Sequence, residues 1–150
     1  MSELTDLYQE VILDHNKSPR NFRAMEDADR SADGHNPLCG DKVTIYANVK
    51  DGVIEDISFQ GKGCAISTAS ASLLTTTLKG KTEAEAEALV GKFVTMLTDE
   101  GAGDEVEDEV GKLAVFSGVK AFPMRVKCAT LAWHTLHSAL GELRETVTTE

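Results

Sequence analysis

The chain has 150 residues, 41% hydrophobic and 27% charged, which suits one domain spanning 1–150 with a core that needs no disulfide staples. With 15 basic against 25 acidic residues, the net charge of −10 argues against nucleic-acid or anionic-membrane binding, since either needs a basic face. No apolar run reaches the length of a membrane span, and the acidic start MSELTDLYQE does not read as a signal peptide.

The elements follow in order. Leu4, Leu7, Tyr8, Val11, Ile12 and His15 share one helical stripe, which Asn16 and Pro19 end. The polar stretch through about Asp33 carries little signal. After NPLCGD (36–41) the period becomes two, with Val43, Ile45, Ala47 and Val49 on one strand face. Asp51-Gly52 marks a hairpin turn, and VIEDISF returns as the partner strand with Ile57 and Phe59 on one face. AISTASASLLTTTL then predicts a buried helix, Thr82 and Glu85 form a capping box for the next, and that helix buries Ala86, Leu89, Val90, Phe93 and Leu97. The acidic stretch 99–109 reads as a solvated loop or frayed helix start, and VGKLAVF as a short helix. Pro123 opens the last helix, with Val126, Ala129, Thr130, Trp133, His137 and Leu140 as its stripe. The class is α+β: a small antiparallel sheet of about three strands packed against several helices.

Three cysteines, an odd number without a secretion signal, point to a reducing compartment, most simply the cytoplasm, and to thiols that are reduced or metal-bound. Cys39 lies in the turn before the first clear strand, Cys64 where a strand gives way to a helix, and Cys128 in the expected first turn of the last helix. A helix start favours thiolate through its unpaired N–H groups and dipole. In an extended segment residues two apart share a side, so Asp41 would accompany Cys39. Three thiolates and a carboxylate make a tetrahedral set suited to zinc. No C-x-x-C pair is present, so spacing alone supports three unrelated buried cysteines equally well.

The histidines and the remaining motifs read more plainly. His15 packs at the core margin, and His35 in its Asn-Pro turn fits a loop role better than a ligand role. His134 and His137 stand one helical turn apart, with His137 on the packing stripe. The glycines of GKG before Cys64 fit sharp backbone geometry at the strand–helix junction better than a phosphate loop. Lys120, Arg125 and Lys127 gather before Cys128, where they raise the local potential, contact an acidic partner or merely solvate a helix start.

LYQEVILDHNKSPRNF (7–22), GHNPLCGD (34–41), GKGCAISTASAS (61–72) and FPMRVKCATLAW (122–133) together resemble the SufU branch of the IscU/NifU-N family of iron–sulfur cluster assembly proteins. The resemblance implies an IscU-like (SufE-NifU) fold, with metal ligands at Cys39, Asp41, Cys64 and Cys128. Scaffold members carry a histidine directly before the third cysteine. Here that residue is Lys127, whose ammonium has no lone pair for a metal, and the segment between Cys64 and Cys128 is longer than in scaffold members. Both departures resemble the SufU type. They imply a zinc-dependent sulfurtransferase in which Cys39 takes persulfide sulfur from a pyridoxal-phosphate cysteine desulfurase of the Suf type and relays it to downstream scaffold proteins. Arg125 and Lys127 would face the partner. The alternatives are a scaffold holding a transient iron–sulfur cluster on the same residues, and a structural zinc module that only binds a partner.

Overall fold

A computed structural model describes residues 3–37, 40–98, 110–141 and 147–148, so Cys39 and the acidic segment 99–109 lie outside the described residues. The described chain runs α1 (Glu3–Lys17), β1 (Arg30–Asn36), β2 (Asp41–Lys50), β3 (Val53–Lys62), α2 (Ala65–Leu78), α3 (Glu83–Thr98), a 3₁₀ helix (Gly111–Ala121), α4 (Pro123–Leu140) and β4 (Val147–Thr148). The sheet order is β3-β2-β1-β4. The first three strands are antiparallel, and the two-residue β4 lies parallel to β1.

The expected hairpin forms as read. Asp51 and Gly52 both take positive φ (53° and 78°), the pair of left-handed residues that lets a two-residue turn match strand twist. A register shift at Asn48/Val49 leaves Glu55 as an extra residue in β3. This bulge explains how Ile54 and Ile57, three apart, both face inward beside Phe59.

β1 is the strand that hydrophobic alternation does not reveal. Its inward residues are Ala32, Gly34 and Asn36, all small or polar. The reason is proximity: α4 lies against β1, and a Cβ on Gly34 would fall 2.1 Å from Thr135 Oγ1. His35 belongs to this strand, on the face opposite Asn36, and not to a loop.

The helices cover the inner sheet face. α4 packs on β1 and β2, α2 on β3, α1 on α2, and α3 with the 3₁₀ helix on α4. Phe93 stacks on Trp133 with ring centroids 4.6 Å apart and meets Phe116 edge-on. The small residues of α2 let its neighbours approach, and their hydroxyls find partners. Ser70 accepts from Trp133 Nε1 at 3.0 Å and donates to the Ala129 carbonyl. Ser72 Oγ accepts the Arg20 N–H at 2.9 Å and lies within hydrogen-bond distance, 2.7 Å, of His15 Nδ1. His15 is therefore a packed core-margin residue, as its stripe position suggests.

The capping box of α3 is present in both directions, Glu85 N–H to Thr82 Oγ1 and Thr82 N–H to Glu85 Oε1, each at 3.1 Å. One stripe assignment fails. His137 is exposed and pairs with Glu87 at 2.6 Å, because the register of α4 turns it past the edge of the packed face toward α3.

Candidate metal centre

Antiparallel register builds one corner of the site. β2 begins where β3 ends, with Lys42 opposite Lys62, so Asp41 and Cys64 become neighbours although 23 positions separate them. The pairing of Asn36 with Asp41 adds the end of β1, and α4, crossing β1 and β2, brings in Cys128.

Asp41 is completely buried, and its Oδ1 accepts the Cys64 backbone N–H at 2.9 Å. Its other oxygen, Oδ2, lies 3.9 Å from Cys64 Sγ. Cys64 is the N-cap of α2, and its Sγ accepts the Ser67 N–H at 3.4 Å, the place a serine or aspartate side chain usually takes. Cys128 is 3% exposed, and Asn36 Nδ2 lies 3.8 Å from its Sγ. One donor atom from each of Asp41, Cys64 and Cys128 lies within 4.8 Å of the other two.

These separations suit a metal. Tetrahedral ligands at zinc–sulfur distances of about 2.3 Å stand about 3.8 Å apart, so shifts of about 1 Å or less would close the set. Two soft thiols and a carboxylate also match zinc chemically. Among the described residues this is the one cluster of potential metal ligands, and His35 has no part in it.

Gly63 makes the approach possible. A Cβ there would lie 2.5 Å from Asp41 Oδ1, in the space through which the carboxylate reaches the Cys64 N–H. Gly61, with φ 152° and the Lys42 carbonyl 2.1 Å from where its Cβ would be, serves the same tight junction. The strand–helix explanation for these glycines therefore holds, with the added purpose of admitting Asp41.

One expectation changes. Cys128 is the sixth residue of α4 and so lies in its second turn, past the unpaired N–H groups that would favour thiolate at a helix start. Gly40 takes a left-handed φ of 74° just before Asp41 enters β2; the expected sharing of one side by Cys39 and Asp41 falls on Cys39, which lies outside the described residues. Asn36 and Gly63 went unrecognised as site residues because sequence reading explains them sufficiently as turn formers. The clue to Asn36 was its two-residue spacing from Gly34 and Ala32.

Outside the cluster, Arg125 lies one helical turn before Cys128 with its guanidinium 4.8 Å from the Phe122 ring centroid. Phe122 and Met124 are 50% and 49% exposed, and Lys127 is half-buried. The first turn of α4 contains no acidic residue to complement the dipole and does contain Arg125.

Residues 7–129 match the NifU-like N-terminal domain family. The chain belongs to this family. It is 36% identical over 141 residues, 94% of each chain, to a zinc-dependent sulfurtransferase SufU from Bacillus subtilis. It is 38% identical over 140 residues to an iron–sulfur cluster assembly scaffold protein IscU from Streptococcus pyogenes, covering 93% of this chain and 86% of that one. A crystal structure of a candidate assembly scaffold for the SUF system, from Fervidobacterium islandicum, superposes with a TM-score of 0.81 at 37% identity, covering 87% of this chain and 94% of that one. The family places this protein in iron–sulfur cluster assembly, and the IscU-like fold expected from the motifs is the fold observed. Among the described residues no helix is long and apolar enough to cross a membrane.

Proposed function

We propose that this protein is a zinc-dependent sulfurtransferase that accepts persulfide sulfur from a pyridoxal-phosphate cysteine desulfurase of the Suf type and passes it to downstream cluster scaffold proteins in the cytoplasm. Asp41, Cys64 and Cys128 would hold the zinc, with Cys39 as fourth ligand. Bound zinc keeps thiolates deprotonated and shields them from oxidation without redox chemistry of its own.

The observation that carries this reading is Lys127 directly before Cys128, where the resemblance gives scaffold members a histidine. An ammonium cannot coordinate metal, but half-buried beside a thiolate cluster it raises the local potential for an incoming persulfide. Arg125, Phe122 and Met124 beside it offer a basic and apolar contact surface for the desulfurase.

Cys39 is the proposed acceptor. Cys64 caps α2 and Cys128 is packed within α4, so moving either disturbs a helix. Cys39 belongs to the four-residue connection between Asn36 and Asp41, flanked by Pro37 and the left-handed Gly40. Its thiolate would attack the terminal sulfur of the desulfurase persulfide. The sulfur–sulfur bond of that persulfide breaks, the desulfurase cysteine leaves as thiolate, and a new sulfur–sulfur bond forms on Cys39, with no net oxidation.

The test combines the metal-loaded chain with the desulfurase and cysteine, followed by peptide mass spectrometry of the trapped persulfide. Sulfur on Cys39 together with one zinc per chain is the expected result. Sulfur on Cys64 or Cys128 with Cys39 unmodified would overturn the acceptor assignment. The scaffold reading keeps support from the comparable similarity to the protein named IscU. Brown protein with visible absorption, and no stimulation of the desulfurase, would favour it.

A further inference from the structure

We propose that Asn36 is a positioning residue for the metal centre, its side-chain amide donating an N–H to Cys128 Sγ and fixing that sulfur toward the metal. The inference rests on the reading that Asp41, Cys64 and Cys128 hold a divalent metal. It begins from an oddity of burial. Asn36 is completely buried, yet among the described residues its Oδ1 has no hydrogen-bond partner. Leaving a buried polar atom unpaired costs about 1–3 kcal/mol, a penalty that an apolar side chain would not carry. Stability therefore does not account for an asparagine here, whereas its contact with Cys128 Sγ at 3.8 Å does.

The three described ligand residues take their donors from different sources. Asp41 takes its donor from the Cys64 backbone, and Cys64 takes its donor from the Ser67 backbone at the start of α2, where N–H groups lack helical partners. Cys128 lies in the second turn of α4, where backbone N–H groups are already committed to carbonyls one turn back. The end of β1 places a donor from another element beside its sulfur, the Asn36 side-chain amide.

The chemistry selects an amide. A metal-bound thiolate only accepts hydrogen bonds, so the NH₂ end of Asn36 must face it. An aspartate of the same shape would offer no donor and would add charge beside two thiolates and Asp41. A donor on the ligand sulfur fixes the direction of its lone pairs and draws electron density from the metal–sulfur bond, as outer partners of metal ligands generally do.

The experiment uses the full chain with Asn36→Leu and, separately, Asn36→Asp. Zinc affinity is read by chelator competition, the thiolate-to-metal charge-transfer band by cobalt(II) substitution, and the fold by melting of the metal-free protein. Each variant should bind zinc about 10–100-fold more weakly. In Asn36→Leu the cobalt band should move to lower energy, while metal-free melting reports separately any cost of the larger side chain. Affinity within about twofold of the parent with an unmoved band in either folded variant would overturn the proposal, as would failure of both variants to fold. A parent chain that binds neither zinc nor cobalt would overturn the metal reading itself.

Discussion

Substituting Gly63 by alanine should damage the metal centre while leaving the fold intact. The new methyl would sit 2.5 Å from Asp41 Oδ1, 3.0 Å from its Cγ and 3.2 Å from its Cβ. Ordinary carbon–oxygen contacts begin near about 3.3–3.6 Å, so the carboxylate must retreat by roughly 0.8 Å or more. Retreat along the line to the Cys64 N–H would stretch that 2.9 Å hydrogen bond beyond useful length. A hydrogen bond to a charged group contributes about 1.5–3 kcal/mol, equivalent to roughly 10–100-fold in affinity. Chelator competition should therefore show zinc binding weakened by up to about that factor, and metal-free melting should fall as well, because the hydrogen bond is already made without the metal. Gly91→Ala is the control: it lies in α3 with no atom within 4 Å of its new Cβ, and should leave zinc binding alone while stabilising the helix by up to about 1 kcal/mol. Zinc affinity within about twofold of the parent in Gly63→Ala would refute the idea that this glycine admits Asp41.

Three further outcomes are expected. Thr82→Ala removes one arm of the α3 capping box and should cost about 1 kcal/mol, or roughly 2–4 °C in melting temperature, without changing metal affinity. Burial, and then the Arg20 guanidinium, hold the His15 pKa below its usual value, with Lys112 adding to the effect and Asp14 opposing it. Its unfolded state thus binds more protons, so the contribution of His15 is complete above the unfolded value near 6.5 and is lost as pH falls toward the lower folded value. Melting of His15→Gln should fall less than that of the parent between pH 7 and 5, and parallel curves would contradict the assignment. Lys127→Ala should retain zinc but weaken sulfur transfer with the desulfurase; loss of zinc would show that Lys127 supports the metal centre itself.

Elements that bury one apolar face were legible in the chain. The β2–β3 hairpin, α3 with its capping box and the stripe of α4 follow from alternation, turn chemistry and helical spacing. β1 was not, because a strand packed tightly under a helix needs small inward residues, and Ala32, Gly34 and Asn36 carry no hydrophobic period. Site chemistry was legible as residue types: donor atoms of Asp41, Cys64 and Cys128, which the motifs single out, lie within 4.8 Å of one another. Their supports were hidden, since the partners of Asp41 and Cys64 are backbone N–H groups that any residue supplies. The role of Asn36 depends on a neighbour 92 positions away, a separation no local pattern encodes.

That long separation also bears on how the molecule assembles. Asp41 and Cys64 are joined by a local hairpin, which needs only a short loop to close and so forms on the fast timescale of such contacts. Cys128 can join them only when α4 docks across the sheet. Half of the centre can thus form early, and the other half waits on a long-range contact. If the centre takes zinc as proposed, its capture would report the docking of α4. The single tryptophan, Trp133, lies buried on the same helix and can time that docking independently. In stopped-flow refolding, tight zinc uptake should follow the Trp133 fluorescence change and never precede it.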